Sequence, residues 1–101
     1  MNNAISAKRD WKLANTEVVS VDNVSFVYLH GNKIAEVGEN FLRLFDGGWQ
    51  SVTTKSRLNA ILREHGLPGE NIFQKKFEWF ITLKTDKELA TVPFFSSMRL
   101  A

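Results

Sequence analysis

The sequence predicts an α+β fold: a curved antiparallel β-meander, a partial barrel of about five to seven strands, with one packed α-helix. Three observations carry this. Short β-rich runs separated by turn pairs fill residues 16–48. One segment alone repeats apolar residues at helical spacing, with Leu58, Ile61 and Leu62 at i, i+3 and i+4. Beyond Pro68 the pattern returns to alternation, most clearly over residues 77–84.

In order along the chain, residues 1–12 read as frayed or helical at best. The first strand covers residues 16–21 and is closed by Asp22-Asn23. The second covers 24–30 and is closed by Gly31-Asn32; the third covers 33–37 and is closed by Gly38-Glu39. The fourth covers 40–45 and is closed by Asp46-Gly47-Gly48. Each closing group contains residues that tolerate positive φ, as tight hairpins require. Links this short join only antiparallel neighbours. Both faces of this sheet are apolar. Phe26 and Tyr28 point one way and Val27 and Leu29 the other, while Phe41 and Phe45 oppose Leu42 and Leu44. A sheet with one wet face alternates more cleanly. This one is therefore curled, covered on both sides, or used to form a homo-oligomer.

Residues 49–53 are a fifth strand or an extended lead-in, with Trp49 as a core anchor that fixes how the helix docks. Thr54 is the expected N-cap and Thr53 the alternative. Arg63 and His65 fall in the last helical turn, where cations suit the dipole. Gly66 takes the C′ position and Pro68 prevents continuation. Residues 71–74 form a short strand, and Lys75-Lys76 links it to a strand whose face is defined by Phe77, Trp79, Ile81 and Leu83. Asp86-Lys87 is a turn. Residues 89–95 form a last strand that Pro93 confines to an edge. Phe94, Phe95 and Met98 cap the core or offer a sticky patch to another subunit.

Bulk composition sets the limits. The 101 residues suit a single domain, with residues 1–14 its most flexible part. Apolar residues make up 44%, enough for a core, and the aromatics (eight Phe, three Trp, one Tyr) argue against disorder. The net charge is +2 and the pI about 9.1, which permits an anionic partner without demanding one. There is no cysteine, which excludes disulfides, thiolate nucleophiles and cysteine metal sites. Residues 1–10 lack the apolar segment of a secretory signal, and no apolar run reaches the roughly 20 residues that span a bilayer. A soluble cytoplasmic protein with no membrane association is the expectation.

Thr53, Thr54, Lys55, Ser56 and Arg57 form the sharpest candidate site. The first amides of a helix are unpaired and carry partial positive charge, so hydroxyls and cations gathered there suit a phosphate or another anion. The plainer reading is an ordinary cap with a solvated face. A phosphate-binding P-loop is excluded, because Thr54 and Trp49 stand where its glycines must be. His30 and His65 have no second ligand at metal spacing, so neither a zinc site nor another cofactor is expected. Lys75, Lys76, Lys84 and Lys87 with Phe77, Trp79 and Phe80 outline a nucleic-acid surface, in which aromatics stack bases and cations follow phosphates. The competing reading puts Phe77 and Trp79 in the core and uses the lysines as edge protection. Neither site amounts to a catalytic constellation. A non-enzymatic protein that binds a host or phage macromolecule or a small anionic ligand is the leading expectation, and direct nucleic-acid binding the alternative.

Several blocks carry a family likeness: Asn15-Thr16, Leu29-His30-Gly31-Asn32, Gly47-Gly48-Trp49, Thr53-Thr54-Lys55-Ser56-Arg57-Leu58-Asn59, Phe73-Gln74-Lys75-Lys76 with Trp79-Phe80, and Val92-Pro93-Phe94. On these the chain resembles a family of small accessory proteins encoded by tailed bacteriophages, over about residues 11–98. Phe95-Ser96-Ser97 departs from the acidic turn expected there. The resemblance implies a viral origin and a soluble accessory protein in the host cell cytoplasm. It brings no activity and no catalytic residues.

Overall fold

The computed structural model describes residues 1–48, 50–86 and 88–100. The expectations placed on Trp49 and Lys87 lie outside the described residues. Chain order is α1 (Asn2–Ala7), β1 (Trp11–Leu13), β2 (Thr16–Val21), β3 (Val24–Leu29), β4 (Asn32–Val37), β5 (Leu42–Leu44), α2 (Val52–His65), β6 (Asn71–Lys75), β7 (Glu78–Lys84), β8 (Leu89–Pro93) and β9 (Met98–Leu100). The α+β class and the antiparallel meander are as expected. The strands form two sheets, one of six in the order β1-β2-β3-β4-β5-β9 and one of three in the order β6-β7-β8. The larger sheet is not closed into a barrel.

Turn chemistry explains the meander. Asp22 and Asn23 both take positive φ, 51° and 67°, the geometry that lets a two-residue loop follow strand twist. The next turn uses His30 and Gly31 at φ 52° and 79°, one residue earlier than the Gly31-Asn32 expectation. Asn32 is free to begin β4 because Gly31 already supplies the second left-handed position.

One register row crosses all six strands of the larger sheet: Trp11, Val18, Val27, Ala35, Leu44 and Met98 are partners in succession, half-buried at Trp11 and buried from Val18 to Met98. Helix α2 lays Leu58, Ile61 and Leu62, each 0–1% exposed, into the core, and packs on both β4 and β6. Each such side chain contributes about 1.5–3 kcal/mol by leaving water. Asn59 fixes the helix to the smaller sheet. Its Nδ2 donates to Ile72 O at 2.9 Å, and its Oδ1 accepts from Ile72 N at 2.7 Å. A side-chain amide thus replaces a neighbouring strand along the free edge of β6. Helix α1 packs on α2 and β2, burying Ala4 and Ile5, so part of the stretch expected to be frayed is held in the core.

Three local expectations change. The N-cap is Ser51, not Thr54 or Thr53: its Oγ accepts from Thr54 N at 3.1 Å, and the helix starts at Val52. Gly66 closes the helix in an extended conformation, φ −89°, not a left-handed one. Its need for glycine is steric, since a Cβ there would lie 2.8 Å from Leu62 O and 2.9 Å from Glu70 Oε1. Phe77 is not on the core face of β7. Lys76 and Phe77, at φ 52° and 67°, make the hairpin turn, and Phe77 is 94% exposed. Trp79 is buried as expected and meets Phe94 at 5.5 Å between centroids. Of the C-terminal trio, Phe94 and Met98 cap the core, whereas Phe95 stays exposed.

Candidate functional site

The cluster around the start of α2 divides between two cavities. In the first, Thr53 and Thr54 join Ser51, His30 and Asp46 around a volume of about 390 Å³. Thr54 is buried, and its hydroxyl is 2.9 Å from that of Ser51, so both oxygens serve the cap. The Asp46 carboxylate shares this cavity and accepts from Gly48 N at 2.8 Å. An anion placed there would meet a negative charge. The helix start is thus a cap first, which favours the plainer of the two readings for Thr53 and Thr54.

Further along the helix, Ser56 and Arg57 face a groove of about 300 Å³ between α2 and β1. Arg63, two turns along the helix, faces the same groove, and Trp11, Leu13, Asn15 and Thr16 form the opposite wall. Among the described residues, no carboxylate lines it. Arg57 Nε donates to the Thr16 hydroxyl at 3.2 Å, and Thr16 is only 3% exposed. That bond fixes the guanidinium and leaves both Nη groups for a ligand. Neither Arg57 nor Arg63 has a carboxylate within 4.0 Å among the described residues, where the ion pairs are Lys33–Glu36 and Arg43–Glu36. Helical spacing brings Ser56, Arg57, Ala60 and Arg63 to one flank of α2, next to the buried stripe. Lys55 is half-buried and lines neither cavity.

Sequence reasoning placed Arg63 only as a dipole partner and did not connect Trp11 or Asn15 with the helix. The available signal was the i, i+4, i+7 spacing of Ser56, Ala60 and Arg63, which puts them on one helical face next to Arg57. The partnership with β1 depends on tertiary packing and has no local signal.

The described lysines of the expected nucleic-acid surface, Lys75, Lys76 and Lys84, lie at two ends of the smaller sheet. Lys75 and Lys76 are at the β6–β7 tip beside Phe77, whereas Lys84 ends β7. The strand between them is about 20 Å long. Trp79 is buried and unavailable to a base, whereas Phe73 and Phe80 stack on the other face, 5.8 Å between centroids.

A further cavity, about 260 Å³, brings His65, Glu70, Lys84 and Arg99 together at the end of α2. Glu70 is occupied structurally: Oε1 accepts from Leu67 N at 2.8 Å and Oε2 from Lys84 N at 3.1 Å. Burial lowers the pKa of His65 from the usual 6.5, against a smaller raising effect of Glu64, and Lys8 lowers it further. Its Nε2 is buried without a hydrogen-bond partner, so the neutral ring is favoured. His30 lies elsewhere, with its Nε2 3.3 Å from Asn15 Nδ2. The two histidines share no site. Among the described residues, no group of three or more acidic or histidine side chains is placed to hold a metal ion, and no helix is long and apolar enough to cross a membrane.

Residues 1–101 match the family described as Kyanoviridae Gp96 protein, and the chain belongs to that tailed-phage protein family. No curated protein and no solved structure matches the chain.

Proposed function

We propose that this phage protein is a non-enzymatic accessory protein that acts in the host cytoplasm by binding an anionic partner, a host or phage macromolecule or a small anionic ligand. One observation carries the reading: the groove between α2 and β1 presents Arg57 and Arg63 with no carboxylate lining it among the described residues. Guanidinium groups recognise carboxylates and phosphates through paired donors. Here one of them is already held in place by Thr16, so less side-chain entropy is lost when a ligand arrives. Trp11 supplies an aromatic wall and Ser56 and Asn15 supply neutral polar groups, a lining that suits a ligand with both a charged and a flat or apolar part. Among the sources open to a phage protein, a host factor diverted during infection fits this chemistry.

The test is a titration of the protein and of an Arg57→Glu/Arg63→Glu variant with three probes: ADP, a single-stranded DNA 12-mer and an Asp-rich peptide. The reading expects saturable binding of at least one probe to the native protein, and loss of that binding in the variant with its melting transition kept. Equal binding by both proteins would remove the groove from the account.

A further inference from the structure

The outer face of the six-stranded sheet, apart from the groove, carries a second charge arrangement, one member of which, Arg99, also reaches the cavity at the C-terminal end of α2. One register row runs Val19, Phe26, Glu36, Arg43 and Arg99 across β2, β3, β4, β5 and β9. Arg43 and Arg99 are direct cross-strand partners, with Cα atoms about 5 Å apart. Like charges in that position destabilise a sheet unless something lies between them.

The available anion is over-subscribed. Glu36 is the carboxylate that pairs here, and its Oε2 is taken by Lys33 Nζ. Its Oε1 is 4.0 Å from Arg43 Nη1, beyond hydrogen-bonding distance. Arg43 Nε is buried without an acceptor. Arg99 has no carboxylate within 4.0 Å among the described residues, and its guanidinium lies 5.2 Å from the Phe41 ring centroid. Lys33 and Arg43 therefore share one carboxylate, and Arg99 beside Arg43 has none. Aromatic rings border them, with Lys33 Nζ 4.6 Å from the Phe45 centroid and 5.9 Å from that of Phe26. The Phe41 ring is fixed by Gly38, where an added Cβ would clash with Phe41 Cε1 and Cδ1.

We infer that Arg43 and Arg99 form a binding site for a phosphate group, which bridges the two guanidinium groups and relieves their repulsion. A tetrahedral oxyanion accepts from two planar forks at once, which a single carboxylate at the edge of the cluster cannot do. Phe41 beside Arg99 gives a nucleobase attached to that phosphate a surface to stack on. Inorganic phosphate, a mononucleotide and a single-stranded nucleic acid share this chemistry.

Thermal melts at constant ionic strength test it, with sodium chloride replaced stepwise by sodium phosphate, AMP or a dT 10-mer. A ligand that binds only the folded protein raises its melting temperature. In phosphate-free, low-salt buffer Arg99→Gln is expected to melt at or above the native temperature, because the repulsion is gone. In phosphate the order reverses, since the native protein alone gains. Affinity for the best probe falls about tenfold or more in Arg99→Gln and in Arg43→Gln, the loss expected for charged hydrogen bonds. Arg57→Glu/Arg63→Glu, on the other side of the sheet, keeps the effect, which separates this site from the groove. The strongest of the three probes identifies the source of the phosphate. No stabilisation by any probe beyond chloride, or equal stabilisation of Arg99→Gln and native protein, overturns the inference.

Discussion

Two sides of helix α2 differ sharply in what they do. Leu58, Ile61 and Leu62 are sealed in the core against both sheets. Nearly half a turn away, Ser56, Arg57 and Arg63 face a groove with no carboxylate lining it among the described residues. The first side determines whether the protein folds. The second leaves charges without carboxylate partners among the described residues, which adds little to folding and suits recognition. One helix can do both because its 3.6-residue period keeps the two sets apart.

Substitutions on each side sharpen that contrast. The largest effect is expected from Leu58→Ala, which removes fully buried methyl groups and leaves a cavity. Chemical denaturation should report a loss of about 2–5 kcal/mol. Asn59→Ala breaks the amide clamp and leaves Ile72 N–H and C=O without partners. It should cost about 2 kcal/mol, and hydrogen exchange should speed up along β6. Ser51→Ala removes the helix cap at a cost of about 1 kcal/mol. A melt in which Thr53→Ala costs more than Ser51→Ala would restore Thr53, the alternative cap in the sequence reading.

His65 adds a pH arm. Its pKa is lowered in the folded protein, so between that value and 6.5 the unfolded chain binds more protons. Stability from this group is complete above 6.5 and is lost as pH falls through the folded value. The melting temperature should therefore drop between about pH 7.5 and about pH 5.5, and drop less in His65→Gln. The smallest effect belongs to the open side of the helix. Arg63→Glu should change stability by under about 1 kcal/mol, since the residue is exposed in the last turn and only its dipole interaction is lost.

The same contrast explains what the sequence revealed. The buried stripe was legible because apolar periodicity is local, and so were the turn at Asp22-Asn23 and the edge position of β8. Phe77 was misplaced because alternation continues through a hairpin tip when both turn residues take positive φ, a state that neither Lys76 nor Phe77 advertises. Strand β1 was hidden for a related reason: Ala14 takes φ 53° in the turn that follows it, and alanine is no turn signal. Strand β9 depends on a long-range return to β5 that no window detects. The uneven alternation of the larger sheet did have meaning. Its outer aromatics are covered by the long side chains of Lys33 and Arg99. In the candidate site, hydroxyls and cations next to one another in sequence were read as one cluster. The first turn, with Thr53 and Thr54, meets the β3–β4 turn and the loop at Asp46, whereas Ser56 and Arg57, further along the axis, meet β1, so the two sets serve different cavities.

Nuclear magnetic resonance tests the groove most directly. With the best anionic probe added, the Trp11 indole N–H and the Nε–H signals of Arg57 and Arg63 should shift together and saturate together, while Leu58 and Ile61 amides stay still. Shifts confined to the Lys75–Phe77 tip, or the absence of any saturable shift in the groove, would contradict the assignment of binding to this side of α2.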